Sequence, residues 1–152
     1  MLEEAGRRLA DAPGDAPIEL VRGDALEAPF EDGAFDLITC FGAFGHILEE
    51  DEVRFVCEVD RLLAPGGRFV FITSERPSGW SASLWVARGF NAVMRVRNAL
   101  IKPEFVMYYL TFLLPGARWL LEARGLDVAV HGGVFERPFG RAKVVIATKP
   151  AR

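Results

Sequence analysis

Apolar positions recur at Leu2, Ala5 and Leu9, the spacing of one helical face, until Asp11-Ala12-Pro13-Gly14-Asp15-Ala16-Pro17 interrupts them with turn formers. A short helix followed by a loop is expected. Ile18-Glu19-Leu20-Val21 then alternates and stops at Gly23, which predicts a strand. After a turn at Pro29-Phe30-Glu31-Asp32-Gly33-Ala34, the run Phe35-Asp36-Leu37-Ile38-Thr39-Cys40-Phe41 is nearly continuous in apolar character, as a parallel strand covered on both faces requires.

Between residues 50 and 63, Val53, Val56, Val59 and Leu63, with Cys57 alongside, mark one face of a helix. Glu49, Glu50, Asp51 and Glu52 crowd its start and Arg61 sits near its end, each favoured there by the helix dipole. Ala64-Pro65-Gly66-Gly67 stops the helix and turns the chain, and a buried strand is expected over residues 68–73. Residues 80–124 read as helical in three pieces, 80–100, 104–114 and 115–124, the last opened by Pro115 and closed by Gly125. Strands are expected over residues 126–130 and 142–148. No helix separates them, so they should pair antiparallel.

Composition narrows the class. A chain of 152 residues that is 51% hydrophobic and 26% charged has enough apolar mass for one packed domain. A net charge of -3 gives no general attraction to a phosphate backbone, so no nucleic-acid partner is expected. Cys40 and Cys57 lack metal-ligand spacing, and no metal is expected. The acidic N-terminal residues are unlike a signal peptide, and the longest apolar run, residues 105–114, is far short of the roughly 20 residues of a spanning helix. A cytoplasmic chain without an integral membrane segment is the expectation.

Three motifs occur in a telling order: Gly23-Asp24-Ala25 after an apolar run, the 35–41 strand, and Arg61-Leu62-Leu63-Ala64-Pro65-Gly66-Gly67-Arg68-Phe69-Val70-Phe71. With the terminal antiparallel pair, they resemble the C-terminal two thirds of class I S-adenosylmethionine-dependent methyltransferases of the small-molecule type. The resemblance covers nearly the whole chain. It implies an α/β, Rossmann-like sheet lacking its first two strands and ending in a C-terminal antiparallel strand pair. The family's glycine-rich loop and ribose-binding acid have no counterpart here, since no two of the 15 glycines are separated by a single residue. An N-terminally truncated, partial methyltransferase domain over residues 1–152 is therefore expected, impaired or inactive as an isolated chain.

The same resemblance implies S-adenosylmethionine as cofactor and a small-molecule methyl acceptor as partner. Asp24, Ala25 and Leu26 fall where the family reads adenine; Asp24 also fits a loop aspartate that caps a turn. Cys40, Phe41 and Gly42 follow the family's fourth strand, at the carboxyl edge where open α/β sheets bind ligands. His46, between that strand and its helix, is a candidate catalytic base, though a structural histidine bonded to backbone near the helix start is the preferred reading. His131 reads as a loop histidine.

Relatives place a substrate lid over the region equivalent to residues 78–114. Trp80, Trp85, Phe90, Phe105, Tyr108, Tyr109 and Phe112 there suit an apolar acceptor or ordinary packing. Arg88, Arg95, Arg97 and Lys102 form a basic stripe, read either as a contact for an anion or membrane surface or as a solvated face, the latter supported by Asn91 and Asn98. A non-catalytic module pairing with a second copy or another chain through an exposed strand edge is the alternative. A nucleotide-dependent reductase is disfavoured by the antiparallel terminal pair.

Overall fold

A computed structural model describes residues 2–10, 17–101, 107–136 and 139–151. The expected turn over residues 11–16, and Lys102, Glu104 and Phe105, lie outside the described residues. The helix α1 (Leu2–Ala10) is followed by β1 (Phe35–Cys40), α2 (Glu52–Leu62), β2 (Leu63–Ser74), α3 (Ala82–Ile101), α4 (Leu114–Ala123), β3 (Asp127–His131) and β4 (Ala142–Thr148). The four strands form one open sheet in the order β1-β2-β4-β3. β1 and β2 are parallel, with Leu37 opposite Arg68 and Cys40 opposite Phe71. β4 pairs antiparallel with both β2 and β3, so the expected terminal strand pair is present.

The two glycines near the start of β2 have separate physical duties. Register shifts between the Phe35–Leu63 and Leu37–Arg68 pairs, and Gly66 occupies that irregularity at φ +81°. A Cβ on Gly67 would stand 2.8 Å from the Ala64 carbonyl oxygen and 3.0 Å from that of Phe35. Only a hydrogen fits where the two parallel strands converge.

The core is aromatic. Phe44, Phe55, Phe69, Phe71 and Phe112 are buried together with Val56, Val59, Leu63, Leu121 and Val145. Phe55 sits 6.0 Å from Phe44, 6.0 Å from Phe69 and 5.7 Å from Phe112 between ring centroids. This packing rotates α2 from the expected face: Phe55, Val56, Val59 and Leu62 are buried, while Val53 is 58% exposed. The larger apolar surface of a phenylalanine outweighs that of a valine at the same helical turn.

Three other expectations change. Residues 18–21 form no strand, and Ile18, Leu20 and Val21 are exposed. Alternation fixes which side chains share a face, but a strand also needs a ladder partner, and β1 pairs only with β2. β1 is accordingly an edge strand rather than one covered on both faces. Ile38 and Cys40 pack on the core, whereas Leu37 is 56% exposed.

Within the expected 104–114 helix, residues 107–113 are irregular. Leu110 and Phe112 adopt φ values of 66° and 49°, a left-handed conformation that ends any α-helix. The segment's hydrogen bonds go elsewhere. Tyr108 N–H donates to the Gly45 carbonyl (2.7 Å), and Tyr109 N–H to the Asn91 side-chain oxygen (2.8 Å). Phe112 N–H donates to Glu52 Oε1 (2.6 Å), and the Phe112 carbonyl accepts from Thr73 Oγ1 (2.7 Å). Long-range partners thus replace an intrahelical ladder.

Candidate functional site

Because β1 and β2 run parallel, Cys40 and Ser74 end at the same edge of the sheet. The loop after β1, the start of α2 and residues 107–113 gather above that edge. Phe44 anchors them: its ring stacks on Phe112 and meets Phe71 edge-on at 5.4 Å, and its carbonyl accepts from Thr111 Oγ1 at 2.7 Å. A Cβ on Gly45 would lie 3.0 Å from the Tyr108 carbonyl oxygen, so the two loops touch at a glycine.

Asp24, Ala25 and Leu26 form a tight turn. Asp24 Oδ1 accepts the Leu26 N–H at 2.9 Å, and the Asp24 carbonyl accepts the Glu27 N–H at 3.1 Å. One carboxylate oxygen is therefore engaged in fixing the turn, as in an Asx turn. Leu26 packs against the core while Asp24 and Ala25 are exposed.

The segment that follows this turn, residues 28–32, stands on α2 through a clasp with no obvious signal in the sequence. Arg61 donates to both oxygens of Glu58 (2.7 and 2.9 Å), to the carbonyls of Phe30 (2.8 Å) and Ala28 (3.2 Å), and to Asp32 Oδ1 (2.7 Å). Glu58 Oε1 also accepts the Ala28 N–H at 2.8 Å. The Arg61 hydrogen bonds hold the buried Glu58 carboxyl below its ordinary range, and Glu58 and Asp32 raise Arg61 further above neutrality. Both groups are ionised at pH 7 and act as a fixed brace.

Two concavities flank the sheet edge. The first, about 310 Å³, is apolar and brings Ala25 together with Cys40, along with Phe30, Leu37, Ile38 and Phe55. It runs along the outer edge of β1 rather than over its carboxyl end. Burial pushes the Cys40 thiol up, opposed by a weaker hydrogen bond from Ala43, so Cys40 is a neutral, apolar wall and not a nucleophile. Asp24, Leu26, Phe41 and Gly42 do not line this groove. Phe41 and Gly42 are exposed, and Gly42 turns the chain at φ +78°.

The second concavity, about 680 Å³, lies between α3 and residues 108–111. Arg76, Arg88, Arg95, Tyr108 and Tyr109 line it, facing Glu49 and Glu50. His46 ends a single 3₁₀ turn, Phe44–His46, donates its N–H to the Ala43 carbonyl at 3.0 Å, and lines neither concavity.

α3 is oriented opposite to expectation. Asn91 and Asn98 face inward: Asn91 Nδ2 donates to the Tyr109 carbonyl at 2.6 Å, and Asn98 Nδ2 to Tyr108 Oη at 2.9 Å. The asparagines that suggested a solvated face are the residues that dock the helix. Spacing alone shows which positions share a face but not which face turns inward.

The comparisons agree with this architecture. The family described as "Methyltransferase domain" matches residues 1–71. A demethylmenaquinone methyltransferase of Thermus thermophilus is 36% identical over 102 residues, covering 67% of this chain and 45% of that protein. The enzyme of the same name from Symbiobacterium thermophilum is 36% identical over 131 residues, covering 86% of this chain and 43% of that protein. The chain belongs to the class I methyltransferase family. It spans about half the length of the curated relatives it matches. Its fold also matches a solved SAM-dependent methyltransferase from Methanosarcina mazei, with a TM-score of 0.61 at 17% identity, covering 98% of this chain and 77% of that one. The open sheet is thus of the methyltransferase, Rossmann-like kind, with the strand expected over residues 18–21 missing.

Proposed function

We propose that this chain contributes the adenine side and the acceptor side of an S-adenosylmethionine-dependent methyltransferase acting on a small molecule. The supporting observation is the shared carboxyl edge of β1 and β2, where the loop from Cys40 to His46 meets residues 107–113, with Ala25 of the Asp24 turn beside Cys40 in the adjoining groove. The acceptor is proposed to resemble demethylmenaquinone, the molecule in the relatives' names.

The residues present fit one end of the cofactor. The braced turn at Asp24, Ala25 and Leu26 offers an exposed carboxylate and an exposed backbone edge to adenine, and Cys40 supplies an apolar wall beside Ala25. Phe41 and Gly42 border the path from that wall to the acceptor. When bound, the sulfonium supplies an activated methyl group for in-line displacement. The chain's part is then to hold the acceptor in line and keep water out. Tyr108, Tyr109 and the arginines of the larger concavity orient the acceptor, with α3 and residues 107–113 as its lid, and His46 is the candidate for holding a proton nearby.

The family's ribose acid and glycine loop have no counterpart in these 152 residues. About three hydrogen bonds are lost with them, at roughly 1–3 kcal/mol each. Cofactor binding by this chain alone is therefore weak. Titration calorimetry with S-adenosylhomocysteine tests the reading: weak binding, weakened further by Asp24→Ala, is expected. Tight binding overturns the impairment, and an unchanged affinity in Asp24→Ala overturns the adenine assignment.

The open edge of β1 and the exposed Leu37 favour a second reading, a non-catalytic module that pairs with another strand. Self-association or partner binding that Leu37→Lys abolishes, without any cofactor binding, selects that reading.

A further inference from the structure

α3 presents its apolar side to solvent. Val86 and Val93, with Ala82 before them and Gly89 between, follow one another in steps of three and four residues, and Leu100 lies two turns further along the same face. Val86 is 71% and Leu100 79% exposed, and Trp85 and Val96 border the same stripe, also exposed. The opposite side is occupied, because Asn91 and Asn98 bond residues 108 and 109 and Leu84 is buried. This polarity is the reverse of a helix packed on a soluble core, and the protein covers none of the stripe with its described residues.

Charge indicates what covers it. Residues 82–101 contain no acid, in a chain whose net charge is -3. Arg97 flanks one border of the stripe, and Arg88 and Arg95 lie beyond the other. None of the three has a carboxylate partner among the described residues; Arg88 instead lies 5.4 Å from the Trp85 ring centroid. Glu49 and Glu50 face Arg88 and Arg95 only across the inner concavity, on the side away from the stripe. Trp80, just before the helix, is 98% exposed. Aliphatic groups and tryptophan beside a cation on an acid-free helix match a lipid interface, with the apolar side chains entering the acyl boundary and the Arg97 guanidinium reaching the headgroups.

We propose that the outward face of α3 docks on an anionic phospholipid surface, with Trp85, Val86, Val93 and Leu100 inserted and Arg97 at headgroup level. No helix among the described residues is long and apolar enough to cross a membrane, so the contact is interfacial. Residues 107–113, joined to the inner side of α3, then lie next to the bilayer, and the larger concavity opens close to it.

Vesicle sedimentation of the 152-residue chain decides the matter. Vesicles of phosphatidylcholine with roughly 30% phosphatidylglycerol should bind on the order of fivefold more strongly than pure phosphatidylcholine, the contribution of about one basic residue near an anionic surface. Val86→Ser/Val93→Ser, both at exposed positions and checked for folding by circular dichroism, should abolish binding. Arg97→Glu should remove the preference for anionic lipid, and tryptophan emission should shift to the blue on binding. Absence of binding, equal binding to both vesicle types, or binding unchanged by the serine pair overturns the proposal. So does a wild-type dimer that the serine pair dissociates while no vesicles are bound, which would make a second copy the occupant.

Discussion

The rings of Phe44 and Phe112 stack 4.5 Å apart with only 16° between their planes. One belongs to the loop after β1 and the other to the irregular segment after α3, so this contact joins the two sides of the candidate site. Phe112 is 1% exposed. Phe112→Ala should lower stability by about 3–5 kcal/mol, a large part of what a small domain has. Urea unfolding followed by near-ultraviolet circular dichroism reads this directly. A loss below about 1 kcal/mol would show that the segment packs independently of the core.

Glu52 gives a pH dependence of one sign. Burial raises its carboxyl above the ordinary 4.5, outweighing the Phe112 N–H that favours the charged form, and nearby Glu49 raises it further. A folded-state value above the unfolded one means that the stabilising contribution is complete below about pH 4.5 and is lost as pH rises through the folded value. Glu52→Gln keeps an acceptor for Phe112 and removes this loss. The variant should equal or exceed the wild type in melting temperature at pH 7, with the difference shrinking toward pH 4; the opposite trend would refute the burial account.

Glu58 gives the reverse sign. Its carboxyl is held below the ordinary 4.5, first by the Arg61 hydrogen bonds. Its contribution is therefore present above about pH 4.5 and is lost as pH falls through the depressed folded value. Glu58→Gln should cost about 1–3 kcal/mol at pH 7 and progressively less in acid. Proteolysis should then open residues 28–33 first, since Arg61 loses its brace. Equal destabilisation at pH 7 and pH 3 would assign Glu58 a packing role instead.

Gly66 and Gly67 fail differently when substituted. Gly66→Ala places a side chain at φ +81°, a left-handed cost of about 1–2 kcal/mol. Gly67→Ala drives a Cβ between two backbone carbonyls at 2.8 and 3.0 Å, and the parallel strands must separate. Strand separation should appear as loss of amide-exchange protection at residues 37–40 in Gly67→Ala but not in Gly66→Ala.

Legibility in the sequence followed the range of the interactions. β1, the 68–73 part of β2, β3 and β4 were readable because their apolar runs and bounding turns are local. Residues 18–21 were not, since alternation says nothing of whether a ladder partner stands alongside. Residues 107–113 escaped because Gly45, Glu52, Thr73 and Asn91, all distant in sequence, take up the backbone hydrogen bonds that a helix would have used. In the candidate site, Asp24, Ala25, Leu26, Cys40, Phe41 and Gly42 were identified through resemblance. The structure brings Ala25 and Cys40 into one groove, ties up one oxygen of Asp24 and leaves His46 outside both concavities. The Arg61 clasp had no signal beyond a cation near a helix end.

The Asn91 side chain meets both the N–H and the carbonyl of Tyr109, much as a neighbouring peptide group would. One amide thus does for α3 what a ladder does for a strand. The helix is geared to the loop rather than to the sheet, so a displacement of Tyr109 would be transmitted along the whole of α3, and a load on α3 would return to the floor of the larger concavity.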